Sequence, residues 1–411
     1  MKTGICGGTF DPLHKGHEAL VRAALDSKLV DQVIVIPSGT PPHKRQELIS
    51  MARYRYEMVS RTFADEPRIK VSDVEILRSG PSYTLDTARQ LKEQNPGDDF
   101  CLIYGSDVLK DIERWHQPVA LLATWPLILA DRGGIAGDLS RQYAADLHRR
   151  FGASIRFFDA PSIELSGTMI RKLAANGEPI GHLVPAAVDR LVQKHGLYRW
   201  QDELLVLDYA LWDELREIER SLWTMLTPKR QIHSLNVLNY ALHLAIRHGI
   251  SSRQTALAAI LHDCAKCLPA DRQLALALES DERALLDEPL VHGPAGAVLA
   301  RQRFGILDEA VLHAIHCHTT GCADMTPLDQ IIFVADKVEP GRNYANLDEI
   351  RSLAETNLNQ ATRLCLQEIE LYLRREQLSS HPYAGQALAD MHNRIKLAQN
   401  EAPDNNKEPK S

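Results

Sequence analysis

Two groups of residues in this 411-residue chain have types and spacings suited to phosphate chemistry. The first is Gly7-Gly8-Thr9-Phe10-Asp11-Pro12-Leu13-His14-Lys15-Gly16-His17, directly after a short apolar run. Glycine lets the backbone come close to a ligand, and a helix opening near His17 turns its free N–H groups and positive dipole end toward the same place. His14 and His17 are three residues apart, so both imidazoles can face one anion. That arrangement suits the phosphates of a bound nucleotide, with Gly8, Thr9 and Phe10 in the turn beside them. A second phosphate element comes late in the same half, as Ser166-Gly167-Thr168-Met169-Ile170-Arg171. Ser166 or Thr168 is placed to cap the helix that follows, with Arg171 on its first turn, so cap, dipole and guanidinium all favour an anion. Alone this second pattern is common, and it gains meaning from the first.

The other group lies in the second half: His233, His262-Asp263, His292, His318 and Asp336. Imidazole and carboxylate suit zinc, iron, manganese or nickel, and six such side chains exceed what one tetrahedral ion needs. A pair of metals is the natural count. Lys266 is four residues after His262 and is expected to share its helix face. His292 precedes Gly293-Pro294, which places it at a helix mouth, and Thr326-Pro327 opens the helix that carries Asp336.

Taken together, the first set of motifs resembles the nucleotidyltransferase superfamily related to class I aminoacyl-tRNA synthetases, and bacterial nicotinate-nucleotide adenylyltransferase in particular. The similarity covers about residues 1–198 and includes Pro41-Pro42-His43-Lys44, Ser82-Tyr83-Thr84-Leu85-Asp86-Thr87, Gly105-Ser106-Asp107-Val108-Leu109 and Trp115. Asp131-Arg132-Gly133 departs from the Arg-Pro-Gly more common in that family. The resemblance implies attack by the phosphate of nicotinate mononucleotide on the α-phosphorus of ATP, giving the deamido dinucleotide and pyrophosphate. It implies that His14 and His17 meet the ATP phosphates, that Lys44 and Arg171 support the leaving pyrophosphate, and that Thr84, Asp107 and Trp115 line the pyridine-nucleotide side. Arg132 is a further substrate-binding candidate. Mg²⁺ is expected to arrive with ATP rather than in a protein cage. His43 and His116 are read as bystanders.

The second set resembles the HD superfamily of metal phosphohydrolases, and within it the symmetrical diadenosine tetraphosphate hydrolases of bacteria. The motifs are Arg230-x-x-His233, His262-Asp263-Cys264-Ala265-Lys266, His292-Gly293-Pro294, His318-Thr319-Thr320-Gly321 and Val334-Ala335-Asp336-Lys337-Val338-Glu339-Pro340, over about residues 212–375. The resemblance selects His318 over His313 and His316, which spacing alone does not. It implies His233, His262, Asp263 and Asp336 on a first metal, with Asp263 bridging, and His292 and His318 on a second. It implies Lys266 and Thr319 on phosphate, Arg342 as a weaker candidate, iron as the metal, and hydrolysis of diadenosine tetraphosphate to two ADP. Spacing leaves manganese and zinc open. Two alternatives stand beside this one: hydrolysis of another nucleotide such as a guanosine alarmone, and a regulatory nucleotide-binding module without turnover. The complete set of six metal-type residues disfavours the module.

The elements that must position these residues differ between the halves. Apolar runs at 3–6, 32–36, 70–74, 100–104, 126–130 and 154–158 read as strands, most followed by helical periodicity such as 17–27 or 84–94. That alternation predicts an α/β doubly wound, mainly parallel sheet covered on both faces. From residue 204 onward the period is helical, including 213–226, 233–248, 253–266, 296–304, 308–317, 327–338 and 347–373, which predicts an all-α domain. The expected domains are 1–200, 201–380 and a C-terminal segment 381–411, whose last dozen residues are polar and aperiodic.

Charge and histidine follow the same division. Residues 1–200 hold 26 Lys and Arg against 24 Asp and Glu, whereas the whole chain is at −7, leaving −9 for the rest. An acidic chain argues against nucleic acid as the main partner. Eight of the 17 histidines crowd between His233 and His318. The seven cysteines show no disulfide framework, and Cys264-x-x-Cys267 has no partner pair at zinc-ribbon spacing, so both are read as structural or incidental. The longest apolar run, 119–130, is too short to span a bilayer and is interrupted by Pro126. With no signal peptide readable, a soluble, cytoplasmic protein is expected.

Overall fold

In the computed structural model the described residues are 1–41, 49–131, 134–204, 207–280 and 285–401. They divide into two compact units, Met1–Gln201 and Asp202–Ser411.

The first unit is built on a six-stranded sheet of β1 (Lys2–Gly8), β2 (Gln32–Pro37), β3 (Ile69–Val71), β4 (Asp99–Gly105), β5 (Leu127–Asp131) and β6 (Ile155–Asp159). The order is β3-β2-β1-β4-β5-β6, and every neighbouring pair is parallel. A parallel sheet is covered on both faces, which is why all six residues of β2 are buried and the strand reads as an unbroken apolar run. In register, Ile5 of β1 faces Ile34 of β2 and Leu102 of β4, and all three join Leu85, Leu129 and Leu147 in one core. The strand expected at 70–74 ends at Val71. The Ser72 hydroxyl accepts from the Val74 amide at 3.3 Å, and Val74–Leu77 is a helical turn instead. The order of the strands reverses between β1 and β4, and a doubly wound sheet binds its ligands outside the carboxyl ends at that point. Gly7-Gly8 and Gly105 end the two strands there.

The second unit is helical throughout its described elements. The helices that carry the candidate metal ligands, or end beside them, are Pro228–His248, Ser252–Leu261, His292–Phe304, Glu309–Cys317 and Pro327–Val338. Two expected helices are shorter than their periodicity. The stretch 253–266 leaves the α-helix at Leu261, because the amides of Cys264 and Lys266 bond only three residues back, to Leu261 and Asp263. The stretch 347–373 is two helices, Leu347–Ala354 and Leu358–Arg375, since Asn357 turns out of the helix and caps the second one through the Gln360 amide. The C-terminal segment contributes more than a tail. Helix Pro382–Glu401 buries Ala387 and Met391 completely, and Arg394 donates to the Met325 carbonyl at 2.9 Å. No helix among the described residues is long and apolar enough to cross a membrane.

Candidate active sites

At the carboxyl edge of β1 and β4 lie two adjoining cavities that share Gly7, Gly8 and Tyr104. One, of about 290 Å³, is walled by Phe10, His14, Gly16, His17, Gly105 and Asp107. His14 is the N-cap of helix Lys15–Asp26, and the two histidines form a reciprocal cap: His14 Nδ1 accepts from the His17 amide, and His17 Nδ1 from the His14 amide. The capping brings the rings into a stack with centroids 3.6 Å apart. Gly16 is needed because a Cβ there would lie 3.1 Å from His14 Nδ1 and 3.2 Å from the Ile163 carbonyl. Burial pushes the His14 imidazole down to about 4, so it is neutral near pH 7.

The other cavity is aromatic. Trp115, half-buried, meets the Tyr104 ring edge-on at 5.2 Å, and Tyr83 stacks on His116 at 4.1 Å. Thr84, at the start of helix Thr84–Gln94, lies 3.3 Å from the Tyr104 hydroxyl, and Thr9 is on the same wall. His116, read from sequence as a bystander, lines this cavity. The structure therefore brings Gly8, Thr9, Phe10, His14, His17, Thr84, Asp107 and Trp115 to one continuous crevice. Lys44, His43 and Arg132 lie outside the described residues.

Arg171 differs from its expected place. It is on the second turn of helix Gly167–Ala175, buried, donating to the Asp11 carbonyl at 2.8 Å and to Thr168 Oγ1 at 3.3 Å. Ser166 occupies the N-cap position, but its hydroxyl makes no cap bond. Among the described residues, Arg171, Thr168 and Ser166 do not line either of these two cavities, and Arg171 ties the late motif to the glycine-rich turn through the Asp11 carbonyl. Tyr198 and the Ser50 amide grip the two Asp11 carboxylate oxygens at 2.8 and 3.0 Å, and buried Arg55 donates to the carbonyls of Thr9 and Ser38. These supports went unnoticed in the sequence because they join residues far apart along the chain.

In the helical unit the six metal-type side chains converge. His233 Nε2 is 3.3 Å from His262 Nε2 and 2.9 Å from Asp336 Oδ1, and Asp263 Oδ2 is 3.8 Å from His262 Nε2. Asp263 Oδ1 points the other way, 3.2 Å from His292 Nε2 and 3.8 Å from His318 Nε2, which are themselves 3.2 Å apart. Asp263 thus has one oxygen in each of two donor groups.

Every one of the four imidazoles is oriented from outside. The Nδ1 atoms face Glu339 Oε1 at 3.2 Å, the Ala259 carbonyl at 2.7 Å, the Pro289 carbonyl at 2.7 Å and the Ile315 carbonyl at 2.6 Å, for His233, His262, His292 and His318 in turn. An Nδ1–H donated outward to a backbone carbonyl would leave the Nε2 lone pairs of His262, His292 and His318 facing the cluster, as a metal-binding histidine requires. His233, between Glu339 and Asp336, is instead held up to about 9 against the lowering effect of burial and would have to release a proton to a bound ion. Burial raises the Asp263 carboxyl, but His262, His292 and His318 outweigh it and hold it well below the usual range. Burial likewise raises Asp336, and Lys337 and His233 outweigh it. Two carboxylates, Asp263 buried and Asp336 partly buried, beside pairs of imidazole Nε2 atoms 3.2–3.3 Å apart form a pocket that fits cations.

Around this cluster Lys266 Nζ is 3.0 Å from His292 Nδ1, and burial lowers its pKa. Although residues 262–267 form turns rather than helix, the tight turn still delivers Lys266 to the site. The Thr319 hydroxyl is buried, next in sequence to His318, without a hydrogen-bond partner among the described residues. Arg342 reaches Asp336 Oδ1 at 3.1 Å and borders a groove of about 430 Å³ lined also by Lys337, Tyr344, Tyr372 and Arg375. Sequence reading gave those four no role, because Lys337 and Tyr344 lie far along the chain from Tyr372 and Arg375, which share helix Leu358–Arg375.

Comparison with known proteins follows this division. Residues 5–173 match the model of the cytidylyltransferase-like family, and residues 230–341 that of the HD domain. A protein named probable nicotinate-nucleotide adenylyltransferase from Clostridium tetani is 35% identical over 198 residues, 48% of this chain and 99% of that protein. The chain belongs, through its first unit, to the nicotinate-nucleotide adenylyltransferase family. Another member, from Synechococcus sp. (strain JA-3-3Ab), is 39% identical over 199 residues, 48% of this chain and 94% of its own length. A crystal structure described as a predicted HD superfamily hydrolase involved in NAD metabolism, from Clostridium acetobutylicum, is 31% identical; it covers 43% of this chain and 96% of its own, with a TM-score of 0.41. This adenylyltransferase family member therefore carries a parallel six-stranded sheet in its first unit, followed along the chain by a helical HD domain.

Proposed function

We propose that the chain is a bifunctional enzyme, transferring adenylyl from ATP to nicotinate mononucleotide in its first unit and hydrolysing diadenosine tetraphosphate symmetrically in its HD domain. The first reaction needs no covalent intermediate. The nucleotide's phosphate oxygen bonds to the α-phosphorus of ATP as the bond to pyrophosphate breaks, so the protein supplies in-line placement and charge neutralisation. The crevice fits that task. His14, His17 and the opening of helix Lys15–Asp26 take the phosphates, Trp115 and Tyr104 offer faces and edges to a pyridine ring, and Mg²⁺ accompanies ATP. Arg171 acts as a positioning residue through Asp11.

For the HD domain the observation that carries the reading is the bridging Asp263 with four outward-anchored imidazoles. His233, His262, Asp263 and Asp336 would hold one ion, and His292, His318 and Asp263 a second, iron being the metal the family resemblance implies. Ions bound there supply Lewis acidity to phosphate oxygens and to water. Lys266 and Thr319 are placed to hold a phosphate beside the cluster, and the Arg342, Lys337 and Arg375 cations suit the remaining phosphates of a nucleoside polyphosphate. Tyr344 and Tyr372 offer faces for a base. The test is product analysis after incubation with diadenosine tetraphosphate and Fe²⁺ or Mn²⁺. ADP alone is expected; AMP with ATP, no turnover, or preferred hydrolysis of a guanosine alarmone would overturn the substrate assignment. ATP with nicotinate mononucleotide is expected to release pyrophosphate, and a strong preference for nicotinamide mononucleotide would overturn the first half.

A further inference from the structure

A second cluster of metal-type donors flanks His318 in sequence but stands outside the six-residue set: His313, Cys317 and, in the following loop, Cys322. One ligand atom from each of these three residues falls within 4.8 Å of the others. Cys322 Sγ is 3.9 Å from His313 Nε2, and Cys317 Sγ is 4.0 Å from its Nδ1. The histidine is oriented from behind. Its Nδ1 faces Asp329 Oδ1 at 3.0 Å, while the other oxygen of that buried carboxylate is engaged by the Thr326 amide and hydroxyl at 2.8 Å. Asp329 thereby fixes the imidazole so that Nε2 faces Cys322, the carboxylate–histidine arrangement that supports metal ligands elsewhere.

We propose that His313 Nε2, Cys317 Sγ and Cys322 Sγ form a zinc site distinct from the HD cluster. Zn–S of about 2.3 Å and Zn–N of about 2.1 Å place tetrahedral donors roughly 3.6 Å apart, so the 3.9 Å separation of Cys322 Sγ and His313 Nε2 closes with a shift of a few tenths of an ångström. Two thiolates and an imidazole select zinc over the harder ions that carboxylates and carbonyls prefer. The His313 side chain is 51% exposed, which leaves room for solvent on a fourth position. Cys317 ends helix Glu309–Cys317 and Cys322 stands in the loop after it, so a bound ion ties the two together around His318 and Thr319.

Cobalt substitution separates this site from the HD cluster, whose six proposed ligands contain no sulfur. The full chain, reduced and stripped of metal, is titrated with Co²⁺ while the near-ultraviolet thiolate-to-cobalt charge-transfer band is followed. The expected result is a band whose final intensity corresponds to one thiolate-bound Co²⁺ per chain, with any ions taken up by the HD cluster adding none, and which is displaced by Zn²⁺ and lost in Cys317→Ser and in Cys322→Ser. The Asp263→Ala chain should keep the band, since its defect is confined to the other cluster. Adenylyl transfer by the serine variants serves as the check that the chain was prepared intact, and their thermal melting as the check on the helical unit. Absence of the band in the reduced wild-type chain, or its persistence in a folded Cys317→Ser/Cys322→Ser chain, would overturn the site. So would a native mass two hydrogens lighter than the reduced chain, with a Cys317–Cys322 disulfide and no zinc bound after reduction.

Discussion

Gly8→Ala probes how the nucleotide crevice is assembled. A Cβ at position 8 would stand 2.9–3.2 Å from three atoms of the Phe10 ring. Phe10 is only 2% exposed and sits at φ 51, so it cannot swing into solvent. The ring must retreat by about half an ångström to regain ordinary contact distance. A close neighbour of that ring is His17, edge to face at 5.1 Å, which is stacked in turn on His14. Overpacking of this kind costs about 1–3 kcal/mol of stability. Displacing a phosphate-binding pair by a fraction of an ångström is expected to lower adenylyl transfer by up to ~100-fold, because in-line reactions tolerate little misplacement. The assay is pyrophosphate release from ATP and nicotinate mononucleotide, with hydrolysis of diadenosine tetraphosphate by the same preparation as an internal control. Gly97→Ala is the matched control substitution, since nothing lies within 4 Å of a Cβ there. Wild-type kcat/KM together with an unchanged melting temperature in Gly8→Ala would show that Phe10 does not transmit the displacement to the histidines.

Further outcomes follow from the same contacts. Glu339→Gln weakens the acceptor behind His233 and should lower metal affinity or hydrolysis by roughly 10- to 100-fold while sparing adenylyl transfer, read by metal titration and product assay. Met391→Ala, in the buried face of helix Pro382–Glu401, should destabilise the helical unit by about 2–5 kcal/mol in chemical denaturation, and an unchanged midpoint would mean the helix is not part of that fold. For pH, the His14 pKa of about 4 in the folded chain lies below its unfolded value near 6.5. The unfolded chain binds the extra proton first, so this contribution is intact above about pH 6.5 and is lost progressively as pH falls toward 4. Melting of the first unit should show that acid-side loss, and His14→Gln should remove the component due to this residue.

Much of the architecture was legible in sequence where the determinants are local. The six strands lie at or near the apolar stretches that marked them, most plainly the unbroken run of β2, and His14-x-x-His17 encodes its own reciprocal cap within four residues. The six metal-type residues were picked out by type and motif, and their convergence follows from packing of the helices that carry or adjoin them. What escaped was non-local or depended on the ends of elements. Arg171 was expected on a first turn, yet it stands on the second, buried, with its guanidinium on the Asp11 carbonyl. Tyr344, Tyr372 and Arg375 have no motif at all, and they share a groove only because helix Leu358–Arg375 packs near Pro327–Val338. The break at Asn357 was signalled by a good N-cap residue inside an otherwise unbroken helical period. Cys317 and Cys322 read as scattered cysteines because the histidine that joins them lies four residues upstream of the first and is oriented by Asp329, on the next helix.

Whether one chain holds two independent sites is decided by a double dissociation. Adenylyl transfer and diadenosine tetraphosphate hydrolysis are measured side by side on the wild-type chain, His17→Ala and Asp263→Ala. The expected result is that His17→Ala loses the first activity and keeps the second, and that Asp263→Ala does the reverse. Loss of both activities from either folded variant, or hydrolysis that survives Asp263→Ala, would contradict the two-site reading.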